Sequence, residues 1–130
     1  MQNKINNIIK ISTSINGAFF KYWLEFMSPF HHMTNKELFV ASCILKHYYI
    51  LSQKISDPDI VDSVLMSEDE RKNIRSECNI SPQHYQVILG NLKKKNVLIN
   101  NKFNPKFIPN IKDNESCLLL KFELNEDNNK

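Results

Sequence analysis

Cations crowd one part of this chain. From Arg71 to Lys112 there are nine lysines and arginines and a single acid, Glu77, a net charge of +8 in a chain whose total is +3. The remainder is accordingly net −5, and a sequence polarised in this way suits an anionic partner at its basic end. Other residues able to do chemistry are arranged less tellingly. Cys43 and His47 stand one helical turn apart, but no second pair is spaced to complete the ligand set of a structural metal, so no metal is expected. His31 and His32, in SPFHHMT, read as residues of a connection. No serine-histidine-acid set or carboxylate pair emerges from the spacings. With two glycines, Gly17 and Gly90, neither GxGxxG nor GxxxxGK[ST] is present. The expectation is a protein that is not an enzyme and needs no cofactor.

The elements that position the basic stretch fit one domain, since 130 residues with 42% hydrophobic content suffice for one core. Cys43, Cys78 and Cys117 are odd in number and lie in apolar contexts, which reads as reduced thiols in a cytoplasmic protein. No apolar run approaches the roughly 18 residues of a membrane span, and the start, MQNKINNIIKIST, is too polar for a signal peptide. Residues 1–16 form a polar arm with isoleucines at Ile5, Ile8, Ile9 and Ile11. Ala18 to Met27, AFFKYWLEFM, is a helix apolar over most of its surface, ending near Ser28 and Pro29. It must be buried, either in its own core or against a partner. Phe19, Phe20, Tyr22, Trp23 and Phe26 are the candidate interface residues of a homo-oligomer or of a complex with another protein.

Three helix starts share one chemistry. Thr34 with Glu37 and Ser67 with Glu70 are capping boxes, and Ser81 with Pro82 is a cap followed by proline at the first helical position. The first helix runs from about Asn35 to Leu51 as the central buried one, and Asp57 with Pro58 opens a short extra helix through Leu65. Between the last two capped helices lie Asn79, tolerant of positive φ, then Ile80 and the Ser81 cap. On the final helix Tyr85, Ile88, Leu89 and Leu92 form the buried stripe, leaving Gln83, His84, Val87, Asn91 and Lys94 opposite. It stops at Lys95 and Asn96, with asparagine at the left-handed cap. VLINNKF and CLLLKFEL then read as two strands of a hairpin, separated by a loop containing Pro105 and Pro109. The tail, NEDNNK, is expected to be flexible.

This order resembles the winged helix-turn-helix superfamily over roughly residues 34–124. Its pattern I-A-x-x-L-G-I-S, then L-x-x-K-G and an apolar strand, corresponds to Ile74, Arg75, Ser76, Glu77, Cys78, Asn79, Ile80, Ser81 and to Leu92, Lys93, Lys94, Lys95, Asn96, Val97, Leu98. Two departures are Arg75 in place of the small residue and the insertion of residues 52–66. FNPKF, Phe103 to Phe107, is also similar to an asparagine-proline element that follows the winged helix in some plasmid replication initiators. The implied fold is α+β: a mainly helical winged helix-turn-helix domain over 17–124, with the helix-turn-helix at 68–96, a C-terminal β-hairpin wing at 97–124 and an extra N-terminal aromatic helix.

The resemblance implies that helix 82–95 enters the major groove of double-stranded DNA, with Gln83, His84, Gln86, Val87 and Asn91 reading base edges. Arg71, Lys72, Arg75, Lys93, Lys94 and Lys95 would meet phosphates, and Lys102 and Lys106 would seat the wing. The function expected is that of a transcriptional regulator or replication-initiator-like protein. The outer face nevertheless lacks arginine, the commonest specific base contact, and a fold alone does not fix a function. The alternative is a structural winged-helix module of a multi-protein assembly, such as a phage virion or head-to-tail connector component, which would place the protein in a virion.

Overall fold

The computed structural model describes residues 11–15, 17–111 and 123–124. Most of the expected arm at 1–16, the CLLLKFEL segment before Glu123, Lys112, Cys117 and the tail at 125–130 lie outside the described residues. The described chain is mainly helical with one small antiparallel hairpin, an α+β arrangement. Its elements are α1 (Phe19–Phe26), α2 (Ser28–His31), α3 (Asn35–Lys54), α4 (Pro58–Leu65), α5 (Glu68–Cys78), α6 (Pro82–Lys94), β1 (Leu98–Ile99), β2 (Lys102–Phe103) and a 3-10 turn at Pro105–Phe107.

The central helix is α3, against which α1, α4, α5 and α6 all pack. Its first half explains why: Leu38, Val40, Ala41, Cys43, Ile44 and Leu45 are buried, so apolar side chains leave it on several sides. Each fully buried leucine or isoleucine contributes about 1.5–3 kcal/mol of transfer free energy. Leu24 of α1, Leu65 of α4, Ile74 of α5 and Ile88 and Leu92 of α6 join the same core, with Val97, Leu98, Phe103 and Phe107 from the C-terminal part.

Local chemistry starts each helix. Thr34 Oγ1 accepts from Glu37 N–H at 3.2 Å and Glu37 Oε1 accepts from Thr34 N–H at 3.0 Å, closing a capping box. Asp57 caps α4, and Ser81 Oγ accepts from His84 N–H at 3.1 Å. The expected box at Ser67 is only half formed. Ser67 Oγ accepts from Glu70 N–H at 3.3 Å, but the Glu70 carboxylate turns instead to His47 of α3, 2.5 Å away.

The stops are as local as the starts. Asn79 ends α5 at φ 57° and Asn96 follows α6 at φ 62°. Ile80 N–H donates to Arg75 O and Val97 N–H to Leu92 O, the bonds that close a helix through a left-handed residue. VLINNKF is not one strand. Asn100 and Asn101, at φ 54° and 61°, form a two-residue turn that pairs Leu98 with Phe103 and Ile99 with Lys102. Positive φ at both turn positions matches the twist of an antiparallel pair, so the hairpin closes about fourteen residues earlier than a pairing with CLLLKFEL would require.

The aromatic helix is divided between core and surface. Phe20 is 2% exposed and meets Phe19 and Tyr49 ring to ring. Trp23 donates its indole N–H to Phe107 O at 2.7 Å. Phe20 and Trp23, expected at an interface, thus belong to this chain's own packing, with Phe19 half-buried beside them. Tyr22 and Phe26 are exposed, and Phe30 of α2 continues the row they begin.

Candidate functional site

The chain from helix α5 through α6 and the hairpin to the 3-10 turn carries eight of the nine lysines and arginines between Arg71 and Lys112, and the structure sorts its side chains into three groups. The first faces solvent from α6. Gln83, His84, Gln86 and Val87 are exposed, Val87 to 60%, and none of the three polar side chains has a hydrogen-bond partner among the described residues. Lys93 and Lys94 follow on the last turn, and Lys72 is exposed on α5; none of the three has an ion-pair partner among the described residues. Gly90 interrupts this face. A Cβ built there meets nothing within 4 Å, so no packing contact asks for a glycine in the middle of the helix.

The second group is engaged within the protein. Lys95, expected to bind phosphate, reaches Glu37 Oε1 at 2.5 Å and His32 O at 3.0 Å. Glu37 is buried, and while burial raises its pKa, hydrogen bonds from Lys95 and the Thr34 backbone bring it below the ordinary carboxylate value, with the Asn91 amide adding to them. Lys95 therefore ties the end of α6 to the start of α3, and Asn91, expected to read bases, is drawn to the same carboxylate. Arg75 pairs with Glu68 at 3.0 Å. Lys102 on the hairpin stands 3.9 Å from both Asp59 and Asp62 of α4, which offset its charge. Lys106 lies over the rings of Phe30 and Phe107, at 5.3 and 5.8 Å, away from the α6 face.

The third group lines a cavity of about 310 Å³ between α5, α6 and the hairpin, bounded by Arg71, Gln86, Lys93 and Asn101 over Met66 and Leu98. The Arg71 guanidinium lies over the Tyr85 ring, 6.0 Å from its centre, and its Nε is buried with no hydrogen-bond partner among the described residues. Burial pushes the Tyr85 hydroxyl up to about 12, against the pull of Arg71. The Tyr85 hydroxyl is therefore neutral under ordinary conditions.

A feature unforeseen in the sequence locks α5 in place. His47 of α3 holds two carboxylates of α5, Nδ1 against Glu70 Oε2 at 2.5 Å and Nε2 against Glu77 Oε1 at 2.8 Å. Ionised carboxylates only accept, so both ring nitrogens must donate and the imidazole is charged. Burial works against that charge, but the hydrogen bonds to Glu77 and Glu70 outweigh it and raise the His47 pKa. Lys46 joins on Glu77, whose own pKa falls against burial through the bonds to Lys46 and His47. Glu77, the lone acid between Arg71 and Lys112, thus faces the core helix. The four-residue spacing of Cys43 and His47 therefore marks a turn of α3 that meets α5. Among the described residues no group of histidine, cysteine and acid side chains is arranged to hold a metal ion.

His31 shows the opposite balance. Met33 N–H donates to its Nδ1 at 3.0 Å, so Nε2 carries the proton given to Leu24 O at 2.7 Å. That is the neutral ring, and burial lowers its pKa despite the Leu24 bond. Among the described residues no helix is long and apolar enough to cross a membrane. No family model matches the chain, and neither the curated proteins nor the solved structures contain a significant match.

Proposed function

We propose that the protein is a winged-helix DNA-binding protein, of the transcriptional-regulator or replication-initiator type, in which α6 enters the major groove and the β1–β2 hairpin acts as the wing. The observation that carries this reading is the outward face of α6. Gln83, His84 and Gln86 project free hydrogen-bonding groups beside Val87, with Lys72 on α5 and Lys93 and Lys94 on α6 unpaired among the described residues, and Glu77, the lone acid between Arg71 and Lys112, is held in the His47 clasp. Amides offer donor and acceptor together, as a base edge requires, and Val87 is placed to meet a thymine methyl. Lysines without acidic partners release counterions when they meet phosphates. Lys95 is left out of the contact set because Glu37 holds it, and so is the half-buried Asn91, whose amide lies toward the same carboxylate.

The test is a DNA titration at two salt concentrations with Lys72→Ala/Lys94→Ala as comparison. About five phosphate contacts give a log-log salt slope of about −4.5, and removing two lysines should reduce it by about 2. Absence of binding at low salt refutes the reading. A second reading, a structural module of a multi-protein assembly such as a phage virion or connector, draws support from the exposed aromatic row Tyr22, Phe26 and Phe30. Light scattering separates the two, since a connector component assembles into a ring and a regulator into a small oligomer.

A further inference from the structure

We propose that the cavity between Arg71, Gln86, Lys93 and Asn101 is a seat for a single phosphoryl group, and that Gly90 clears the approach to it. This deepens the DNA-binding reading, on which the choice of a backbone phosphodiester as ligand rests. The seat itself can be tested without DNA.

The lining decides the sign of the ligand. Arg71 and Lys93 supply two positive charges, Gln86 and Asn101 supply amide donors, and no acid borders the cavity. Three neighbouring basic residues stand beside acids by contrast: Lys95 beside Glu37, Arg75 beside Glu68 and Lys102 beside Asp59 and Asp62. Arg71 has no acid within reach among the described residues, and its buried Nε–H lacks an acceptor. A buried N–H donor without an acceptor is costly, and an oxyanion offering several acceptors relieves that cost through charge-assisted bonds. The Arg71 guanidinium lies over the Tyr85 ring, 6.0 Å from its centre. Met66, Leu89 and Leu98 make an apolar floor, which limits screening of the charges and leaves room for the sugar attached to a phosphate.

Gly90 is the independent observation. It follows Gln86 by one turn and precedes Lys93 by three residues, so helical periodicity puts the three on one side of α6. Nothing lies within 4 Å of the position a Cβ would take. Glycine weakens a helix interior and gains nothing from this protein's own packing here, whereas a bare backbone lets a bulky ligand come close to the helix. Gln86 is thereby reassigned from a base reader to a phosphate donor.

The experiment is an amide NMR titration of the protein with inorganic phosphate and, separately, with a short mixed-sequence DNA duplex. It compares the unaltered protein, Lys93→Ala/Asn101→Gly, Gly90→Ala and, as control, Lys36→Ala. Glycine keeps the positive φ at position 101, so the double variant removes the two groups without disturbing the hairpin turn. The expected result is saturable phosphate shifts confined to Gln86, Lys93, Asn101 and their neighbours, weakened about tenfold or more in the double variant and unchanged by Lys36→Ala. Gly90→Ala should raise the thermal midpoint while weakening the duplex. Shifts that never saturate, or that spread equally over all surface lysines, overturn the seat. Duplex binding equally strong in the double variant also overturns it while leaving the DNA reading intact. Saturable phosphate binding without any duplex binding upholds the seat for a phosphate monoester and removes DNA as its ligand.

Discussion

Replacing His47 with glutamine tests how α5 is held, because the charged imidazole is the one side chain that satisfies Glu70 and Glu77 together. A hydrogen bond to a charged group contributes about 1.5–3 kcal/mol, but the two arms of the clasp are not equal. His47 and Glu70 are 15% and 17% exposed, so their bond keeps about 1.5–2 kcal/mol of that range. Glu77 is 35% exposed and shares its carboxylate with Lys46, which reduces its part to about 0.5 kcal/mol. The variant should therefore lose about 2 kcal/mol near pH 6 by urea denaturation followed by circular dichroism. The folded protein holds the His47 proton more tightly than the unfolded chain, whose value is near the ordinary 6.5. The contribution is thus complete below about pH 6.5 and is lost as pH rises through the higher folded value. Near pH 9 a neutral ring donates only one bond and turns a lone pair toward the other carboxylate, so the gap between protein and variant should close to under about 1 kcal/mol. A gap of the same size at both pH values, or none at pH 6, would refute the charged clasp.

Three further outcomes follow from contacts already described. Lys95→Met should cost about 1.5–3 kcal/mol by leaving the Glu37 carboxylate buried without its cation, and Glu37→Gln added to it should recover part of the loss, both read from denaturation midpoints. Val at Asn100 or Asn101 should cost about 1–2 kcal/mol because both have positive φ, whereas glycine at either should cost little, as thermal melts will show. If copies of the chain associate through the exposed aromatic row, Tyr22→Ser/Phe26→Asp should give a folded monomer by light scattering, while an unchanged mass excludes that face.

What the sequence could and could not disclose follows from the range of each interaction. The starts of α3, α5 and α6 were legible because a cap is written within four residues, and Asn79 and Asn96 marked the stops for the same reason. Glu70 had the right spacing for a box, yet its carboxylate had a partner 23 residues away that spacing cannot reveal. The same blindness hid Lys95 with Glu37, 58 residues apart, and Trp23 with Phe107, 84 apart. AFFKYWLEFM is apolar almost all round, so no periodicity distinguished Phe20, which is buried, from Phe26, which is not. The hairpin was a missed local signal. Two asparagines between short apolar runs tolerate the positive φ of a tight turn, but the apolar content of VLINNKF on either side of them is also that of a single strand. Of the candidate contact residues, exposure on α6 was readable from helical period. Pairing to acids was not, and it separates Lys93 and Lys94 from Lys95.

The outward side chains of α6 have no structural duty: Gln83, His84, Gln86 and Val87 hold nothing in place within the described chain. Substitutions at such positions typically change stability by no more than about 0.5 kcal/mol. The scaffold is therefore indifferent to which side chains this face carries. A library randomised at these four positions should return mostly folded members, so this face can change without compensating changes in the core.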